Sequence, residues 1–565
     1  MVFREGHGVL VVVISNGRGI GALDKAFFFS IGVAMAVGLV QQCKNAAVVP
    51  AIALVAILAA GASAQSAIGV EPPLTATPQG ECGPGSNPEV GLQGRVSRED
   101  VENGRAAEGY TCNTEAIGTF KQSFNPGDTI GAIGGFKVLR YIDAAGNECG
   151  FYDSSPIFGT GLSDGEGGVT VLDMSDSTNP VQTARLLTPG MDQPHESVVL
   201  SPQRGILAGI TGTLSTLNGI LDLYDVSEDC LNPTLLSTTP LPVLGHESGM
   251  SPDGMTFWSA STGTDYVFAV DISNTLLPEV IYQGLEGSHG ITVSQDGNRT
   301  YLAGRGTGMV ILDTTEIQER VANPTVTEIS RLDWTARSIP QSVEPFTSNG
   351  GKYLMEIDEY GSCGDTGAGR IIDVNDEANP FVLSNLRLEV HNPENFDTIC
   401  DDPGAGSAAQ GYGGHYCSLP TRVDPTIIAC SMIISGLRIF DITDVANPVE
   451  VAYFNAPVQD RPAFSSQLTG GQFEASNWAM SAPAYVPERN EIWYSDFNQG
   501  FFVVSVTNDV WPKTLPAAAP VAVPGPTTEP ASAPLPVTGP MAWLTLGGLV
   551  TLLGTGTQLA RRRRR

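Results

Sequence analysis

Positive charge is what this chain most lacks. Lysine and arginine together number 30 against 60 aspartates and glutamates, a net charge of −30 at pH 7. A surface so short of cations has no face for a phosphate backbone, which excludes nucleic acid as a partner. Charged residues of both signs make up only 16% of the 565 residues. No C-x-x-C pair occurs, which removes the usual zinc-ribbon and redox-dithiol readings. Histidine is rare as well, with six in all, so the places where it falls carry information. What is abundant is glycine (65) and proline (39), the composition of a turn-rich all-β chain.

The two ends differ from the middle. Residues 46–60, "AAVVPAIALVAILAA", form an apolar run behind Lys44, and "ASAQ" follows, with Ala62 and Ala64 as the small residues an export peptidase reads. The expectation is a secretory signal over 1–64, cleaved after Ala64. An uncleaved N-terminal anchor is the alternative, and Met35, inside an earlier apolar run at 26–40, is an alternative start. At the other end, "LPVTG" (Leu535, Pro536, Val537, Thr538, Gly539) precedes an apolar stretch long enough to cross a bilayer and five terminal arginines that stay on the cytoplasmic side. This arrangement resembles the sorting signal of Gram-positive surface proteins. In that family sortase cuts between the threonine and the glycine and joins the threonine, here Thr538, to peptidoglycan. The resemblance implies covalent attachment to the cell wall, with peptidoglycan as partner and a transient transmembrane segment over 535–565. A plain membrane anchor is the alternative. Residues 514–534, rich in Pro, Ala and Thr, read as an extended, semi-rigid linker.

Cys43 leaves with the signal, and the eight remaining cysteines point to disulfides in an exported chain. Cys417 and Cys430 flank a turn at "RVDPT", so they are candidates to face each other across a hairpin.

The main signal is an internal repeat. Seven segments align: "GVTVLDMSDSTNP" (168–180), "ILDLYDVSEDCLNP" (220–233), "YVFAVDISNTLLP" (266–278), "GMVILDTTEIQERVANP" (308–324), "GRIIDVNDEANP" (369–380), "GLRIFDITDVANP" (436–448) and "GFFVVSVTNDVWP" (500–512). Each is an alternating apolar strand, an Asp (Ser505 in the last), a polar loop and a Pro. Asp at a strand end can bond the backbone of the following turn. Pro lacks the N–H for a ladder, so it separates one strand from the next. A short β run follows each Pro and a pair of strands precedes each repeat, as in "HGITVSQDGNRTYLAG" with its "QDGN" turn. Four strands per repeat and seven repeats predict a seven-bladed β-propeller over 126–513, a ring that leaves few open edges. Residues 65–125 read as irregular, with a strand near 110–125 that closes the ring. An array of β-sandwiches is the alternative, although its domains would exceed this period. The acidic loops after each Asp lack the order of a calcium-binding loop and read as solvated turns.

These segments resemble the LVIVD-repeat family of bacterial and archaeal surface proteins, through "TVLD", "FAVD", "VILD" and "RIFD". The resemblance runs over about 130–512 and is closest at 413–454. It implies a propeller and a surface location, and it implies no settled activity.

Four histidines open an inner strand: His195 in blade 2, His246 in blade 3, His289 in blade 4 and His415 in blade 6. Blade 5 has Glu344 at the matching place. His391 lies in the long connection into blade 6. Equivalent positions on the inner strands of a propeller form a ring at one mouth of the channel. Imidazoles converging there would bind Cu, Zn or Fe. Glu196 and Glu247 follow two of these histidines directly, so with Glu344 and His391 they are candidates to orient the ligands or to act as a base. The competing reading is structural. In WD-repeat propellers a "GH" dipeptide holds the blade through hydrogen bonds, and "GH" occurs here at 245–246 and 414–415. The function expected from the sequence is a wall-anchored propeller that binds a protein or glycan ligand. The alternative is an extracellular enzyme that uses a divalent metal at the channel mouth.

Overall fold

Each of the seven repeated segments forms the third of the four antiparallel strands that make a blade: Val169–Asp173, Gly219–Asp225, Val267–Asp271, Gly308–Asp313, Gly369–Asp373, Leu437–Asp441 and Gly500–Val506. These assignments come from a computed structural model that describes residues 67–68 and 72–512, apart from 122–133, 155–166, 213–218, 243–244, 261–265, 305–307, 335–338, 360, 363–364, 406–410 and 459–476. Ala64 and the sorting pentapeptide Leu535 to Gly539 lie outside the described residues. No helix among the described residues is long and apolar enough to cross a membrane.

The seven sheets form the blades of a β-propeller. The sequence pattern suggested third strands with two unlike faces, yet they are buried on both. The reason is that a blade stands between two others. Among the described residues, one hydrophobic cluster fills each interface in turn. Phe151 and Val171 of blade 1 meet Leu207 and Tyr224 of blade 2. Around the ring, Val503 of blade 7 meets Val138 and Leu172 of blade 1.

The aspartate of each repeat has a defined job. Oδ1 of Asp173, Asp225, Asp271, Asp313, Asp373 and Asp441 accepts the backbone N–H two residues on, at 2.8–3.0 Å. This is an Asx turn, and it gives the strand end a sharp exit. Two residues before that Asp, the pairing with the outer strand slips by one residue in the same six blades. A bulge there adds right-handed twist to the outer part of the blade.

The ring closes through the N-terminal segment. Thr114–Phe120 pairs with Gly500–Val506 as the outermost strand of blade 7. The described residues between 67 and 109 are more ordered than their composition implied. Ala67–Ile68 runs parallel to the outer strand of blade 4, Thr77 bonds Arg387 beside blade 5, and Tyr110–Cys112 adds a fifth strand to blade 6. The buried Arg438 of blade 6 holds this segment through Glu89 at 2.8 Å. Disulfides join Cys82 to Cys112, Cys149 to Cys230 and Cys417 to Cys430. The second ties blade 1 to the loop between the third and outer strands of blade 2, and the third pins the inner hairpin of blade 6 at paired positions.

Candidate metal centre at the channel mouth

The strands of a blade alternate in direction, so all seven inner strands begin at the same mouth. Those starts bring the histidines together. His195 follows the short helix Pro189–Asp192 and stands four residues before Val199, where the inner strand of blade 2 begins. His246 precedes Ser248–Met250, His289 is the second residue of Ser288–Val293, and His415 immediately precedes Tyr416–Ser418. His195 has φ of 51°, a left-handed conformation that a non-glycine residue holds only at a cost. Blade 5 contributes differently from the sequence expectation. Its acid is Glu359, the last residue of the second strand, which pairs with Ile339 at the start of the inner strand.

The distances define one cluster. His246 Nε2 is 3.0 Å from His289 Nε2, and His289 Nε2 is 3.2 Å from Glu359 Oε1. His415 Nε2 lies 3.5 Å from Glu359 Oε2 and 3.3 Å from Glu196 Oε1. Glu196 Oε1 is 3.7 Å from His195 Nε2, and Glu196 Oε2 is 3.6 Å from His246 Nε2. The other ring nitrogen of His415, Nδ1, faces Met480 O at 2.5 Å. That contact fixes the ring and aims Nε2 inward, the outer hydrogen bond expected of a metal-ligating imidazole. Glu196 Oε2 accepts from Gln341 Nε2 at 2.6 Å and from the Tyr416 hydroxyl at 2.8 Å, which leaves Oε1 turned to His195 and His415. Glu247 accepts from Lys137 Nζ at 2.8 Å, and that ammonium lies 4.1 Å above the Tyr416 ring. Gly290 is needed for this packing: a Cβ there would stand 2.0 Å from Glu247 Oε2.

Burial dominates the electrostatics. It pushes the His195 and His246 imidazoles down, His246 well below the ordinary value with His289 adding to the effect. Burial also opposes charge on His415, but the carboxylates of Glu196 and Glu359 outweigh it and hold the group up at about 10. The same opposition raises His289, with Glu359 as its main partner. Glu359 in turn falls to about 2, and Glu196 falls well below the usual carboxylate range. Burial raises Glu247 despite Lys137. His195 Nδ1, His289 Nδ1, His415 Nε2 and Glu247 Oε2 are buried without a hydrogen bond, a costly state in a folded interior.

Such a set fits a divalent transition metal. Atoms about 2.1 Å from an ion in tetrahedral array stand roughly 3.4 Å apart, and the spacings here run from 3.0 to 3.7 Å around the ring. Two compact donor groups, His195–Glu196–His246 and Glu196–Glu247–His289, share Glu196. Imidazole and carboxylate together suit Zn, Fe and Cu.

The structure thus brings His195, His246, His289, His415, Glu196 and Glu247 to one place. Two further expectations need correction. Glu344 lies farther along the inner strand of blade 5 and pairs with Arg422 at 3.2 Å, because the strand has run away from the mouth by that point. His391 is structural. Its Nδ1 accepts from Leu388 N at 2.9 Å and its Nε2 faces Tyr412 O at 2.7 Å, so both nitrogens are used within its own loop. Glu359, Gln341, Tyr416 and Lys137 went unnoticed in the sequence. An acid at the end of a second strand is the signal that would have found Glu359, since Asp153 and Asp496 end the second strands of blades 1 and 7.

No family model and no curated protein matches the chain. Among solved structures it is similar to the periplasmic gluconolactonase of Pseudomonas aeruginosa, at 13% identity and a TM-score of 0.40, over 56% of this chain and 85% of that one. It is also similar to a provisional 6-phosphogluconolactonase of Bacteroides uniformis, at 11% identity and a TM-score of 0.42, over 60% and 87% of the two chains. A protein of unknown function from Desulfotomaculum acetoxidans gives 14% identity and a TM-score of 0.39, over 61% and 94%. The propeller assignment rests on the strand pairing of the chain itself.

Proposed function

We propose that this protein is a metal-dependent extracellular enzyme whose divalent ion is held at the channel mouth by imidazoles from blades 2, 3, 4 and 6 and carboxylates from blades 2 and 5. The observation that carries the reading is the buried ring of imidazoles and carboxylates, whose facing donor atoms stand 3.0–3.7 Å apart. Glu196, Glu247 and Glu359 are three buried carboxylates; Lys137 pairs with Glu247, and without metal the protonated His415, held up at about 10 by Glu196 and Glu359, and the raised His289 supply further positive charge. A divalent cation would replace those imidazole protons as the countercharge of the buried carboxylates, leaving the ring nitrogens free to ligate. An ion there would polarise a substrate carbonyl or lower the pKa of bound water. The side chains of His246 and Lys137, 13% and 11% exposed, are more open than those of His289 and His415, at 4% and 1%. Approach past His246 and Lys137 suits a small molecule.

The test is to load the purified, chelator-stripped chain with Zn, Cu and Fe in turn and to measure bound metal by mass spectrometry. Stoichiometric binding that falls in His246→Ala and His289→Ala supports the centre. No binding by the wild type, with the variants losing only melting temperature, overturns it.

Display outside the cell belongs to the same proposal. It is supported by the apolar runs and the Leu535–Gly539 pentapeptide in the sequence, and by disulfides, which persist in oxidising compartments. The likeness to LVIVD-repeat surface proteins is supported by the recurrence of the strand-plus-Asp motif as the third strand and Asx turn of six blades. The display signal also favours a second reading, capture of a protein or glycan ligand at the surface. In cells, Thr538→Ala should release the protein from the wall fraction. Continued covalent linkage to peptidoglycan would refute anchoring at Thr538.

A further inference from the structure

We propose that the centre holds two ions rather than one, bridged by Glu359; this rests on the metal-centre reading above. The cluster offers seven side chains, four imidazoles and three carboxylates, whereas a zinc ion takes four or five donors and keeps one position open for chemistry. The excess is arranged in two parts. On one side, His195 Nε2 and His415 Nε2 both face Glu196 Oε1, at 3.7 and 3.3 Å. On the other side, His246 Nε2 and His289 Nε2 face each other at 3.0 Å. Glu196 and Glu359 both reach the two sides, but Glu196 Oε2, 3.6 Å from His246 Nε2, already accepts from Gln341 and Tyr416, which leaves Glu359. Its Oε2 lies 3.5 Å from His415 Nε2, and its Oε1 lies 3.2 Å from His289 Nε2.

A carboxylate that turns one oxygen to each of two imidazole pairs is a bridge. Ions bridged within a protein stand about 3.5–4 Å apart. Glu196 has a different part. Gln341 and Tyr416 hold its Oε2, so it serves the His195–His415 side through Oε1 as a terminal ligand. Glu247, whose Oε2 is buried without a hydrogen bond, belongs to a compact donor group with His289 and completes the second side. His415 Nε2, buried without a hydrogen bond, faces Glu196 Oε1 and Glu359 Oε2 at 3.3 and 3.5 Å, which aims it into the ring. Two divalent ions and Lys137 outweigh the three carboxylates by two charges. That surplus is what a bridging hydroxide and an anionic substrate group would neutralise, as in two-metal hydrolysis.

The experiment uses the full chain, stripped with chelator and titrated separately with Zn(II) and Cu(II). Bound ions are counted by mass spectrometry after desalting, and the Cu(II) form is examined by electron paramagnetic resonance. Two ions per chain and a spin-coupled copper pair are expected. Glu359→Gln should halve the stoichiometry and abolish the coupling, and His246→Ala should leave one ion. A wild type that saturates at one ion with an uncoupled spectrum overturns the dinuclear assignment while leaving the metal centre intact. A wild type that binds none overturns both. The count and the spectrum of the wild type decide the question even where a variant fails to fold.

Discussion

Nε2 of His246 lies 3.0 Å from Nε2 of His289, two blades' inner strands meeting nitrogen to nitrogen. Two N–H groups cannot share that space, so at most one of the facing nitrogens carries a proton. A cation bound by both lone pairs relieves the same conflict. The metal-free protein should therefore be less stable than the loaded one. A metal at one hundred times its dissociation constant adds about 2.7 kcal/mol when it binds only the folded state. Calorimetric melting with and without chelator measures this, and an unchanged melting temperature after stripping would count against the centre.

Gly290 gives an independent handle on the same place. In Gly290→Ala the new Cβ meets Glu247 Oε2 at 2.0 Å and Gln341 O at 2.3 Å. The expected cost is about 1–3 kcal/mol, the range for overpacking a filled core, accompanied by weaker metal binding because both neighbours flank the ring. Chemical denaturation and metal titration read the two effects separately.

Asp153 makes stability depend on pH. Complete burial lifts its carboxyl to about 7, although the backbone N–H groups of Phe136 and Lys137 bond its Oδ1 at 2.8 and 2.9 Å. In the unfolded chain the group titrates near 3.9. Between these values the folded state binds the proton that the unfolded state has released, so stability from this group is full below about pH 4 and falls as pH rises to about 7. Asp153→Asn keeps the acceptor for both N–H groups and cannot ionise. Its unfolding free energy should lose that decline relative to the wild type. Parallel pH profiles for the two proteins would contradict the assignment.

The Cys149–Cys230 disulfide encloses 81 residues of sequence separation and ties blade 1 to blade 2. Replacing both cysteines by serine should cost about 2–5 kcal/mol, chiefly through the freedom returned to the unfolded chain. The denaturation midpoint of the double variant measures this, and a loss below about 1 kcal/mol would contradict it.

Glu344 supplies the negative case. Its carboxylate pairs with Arg422 rather than facing the ring, so Glu344→Gln should leave metal stoichiometry unchanged. A variant that lost metal would return Glu344 to the centre.

Much of the fold was legible because the repeat states its own strand order. "TVLD", "FAVD" and "RIFD" each read as a strand ending in Asp, and an Asx turn needs nothing beyond the residue two places on. The positions of His195, His246, His289 and His415 at inner-strand starts follow from the same count. Glu359 was out of reach, because its place depends on the pairing of two strands of unequal length, ten residues against nine, with a slip between Pro340 and Ser342. Glu344 misled for the same reason. Counting from the repeat puts it where a histidine stands in other blades, but the inner strand of blade 5 begins five residues earlier, at Ile339.

By itself the sequence determined seven blades, their third strands and turns, and the rarity of the histidines, because these follow from local patterns and strand-end chemistry. Only the tertiary structure decided that those histidines face one another. Ring closure by Thr114–Phe120 and the packing of each blade against the next fix the inner strands around a common axis. Four imidazoles on strands far apart in sequence then meet Glu196 and Glu359 within 4 Å, a convergence that no single repeat contains.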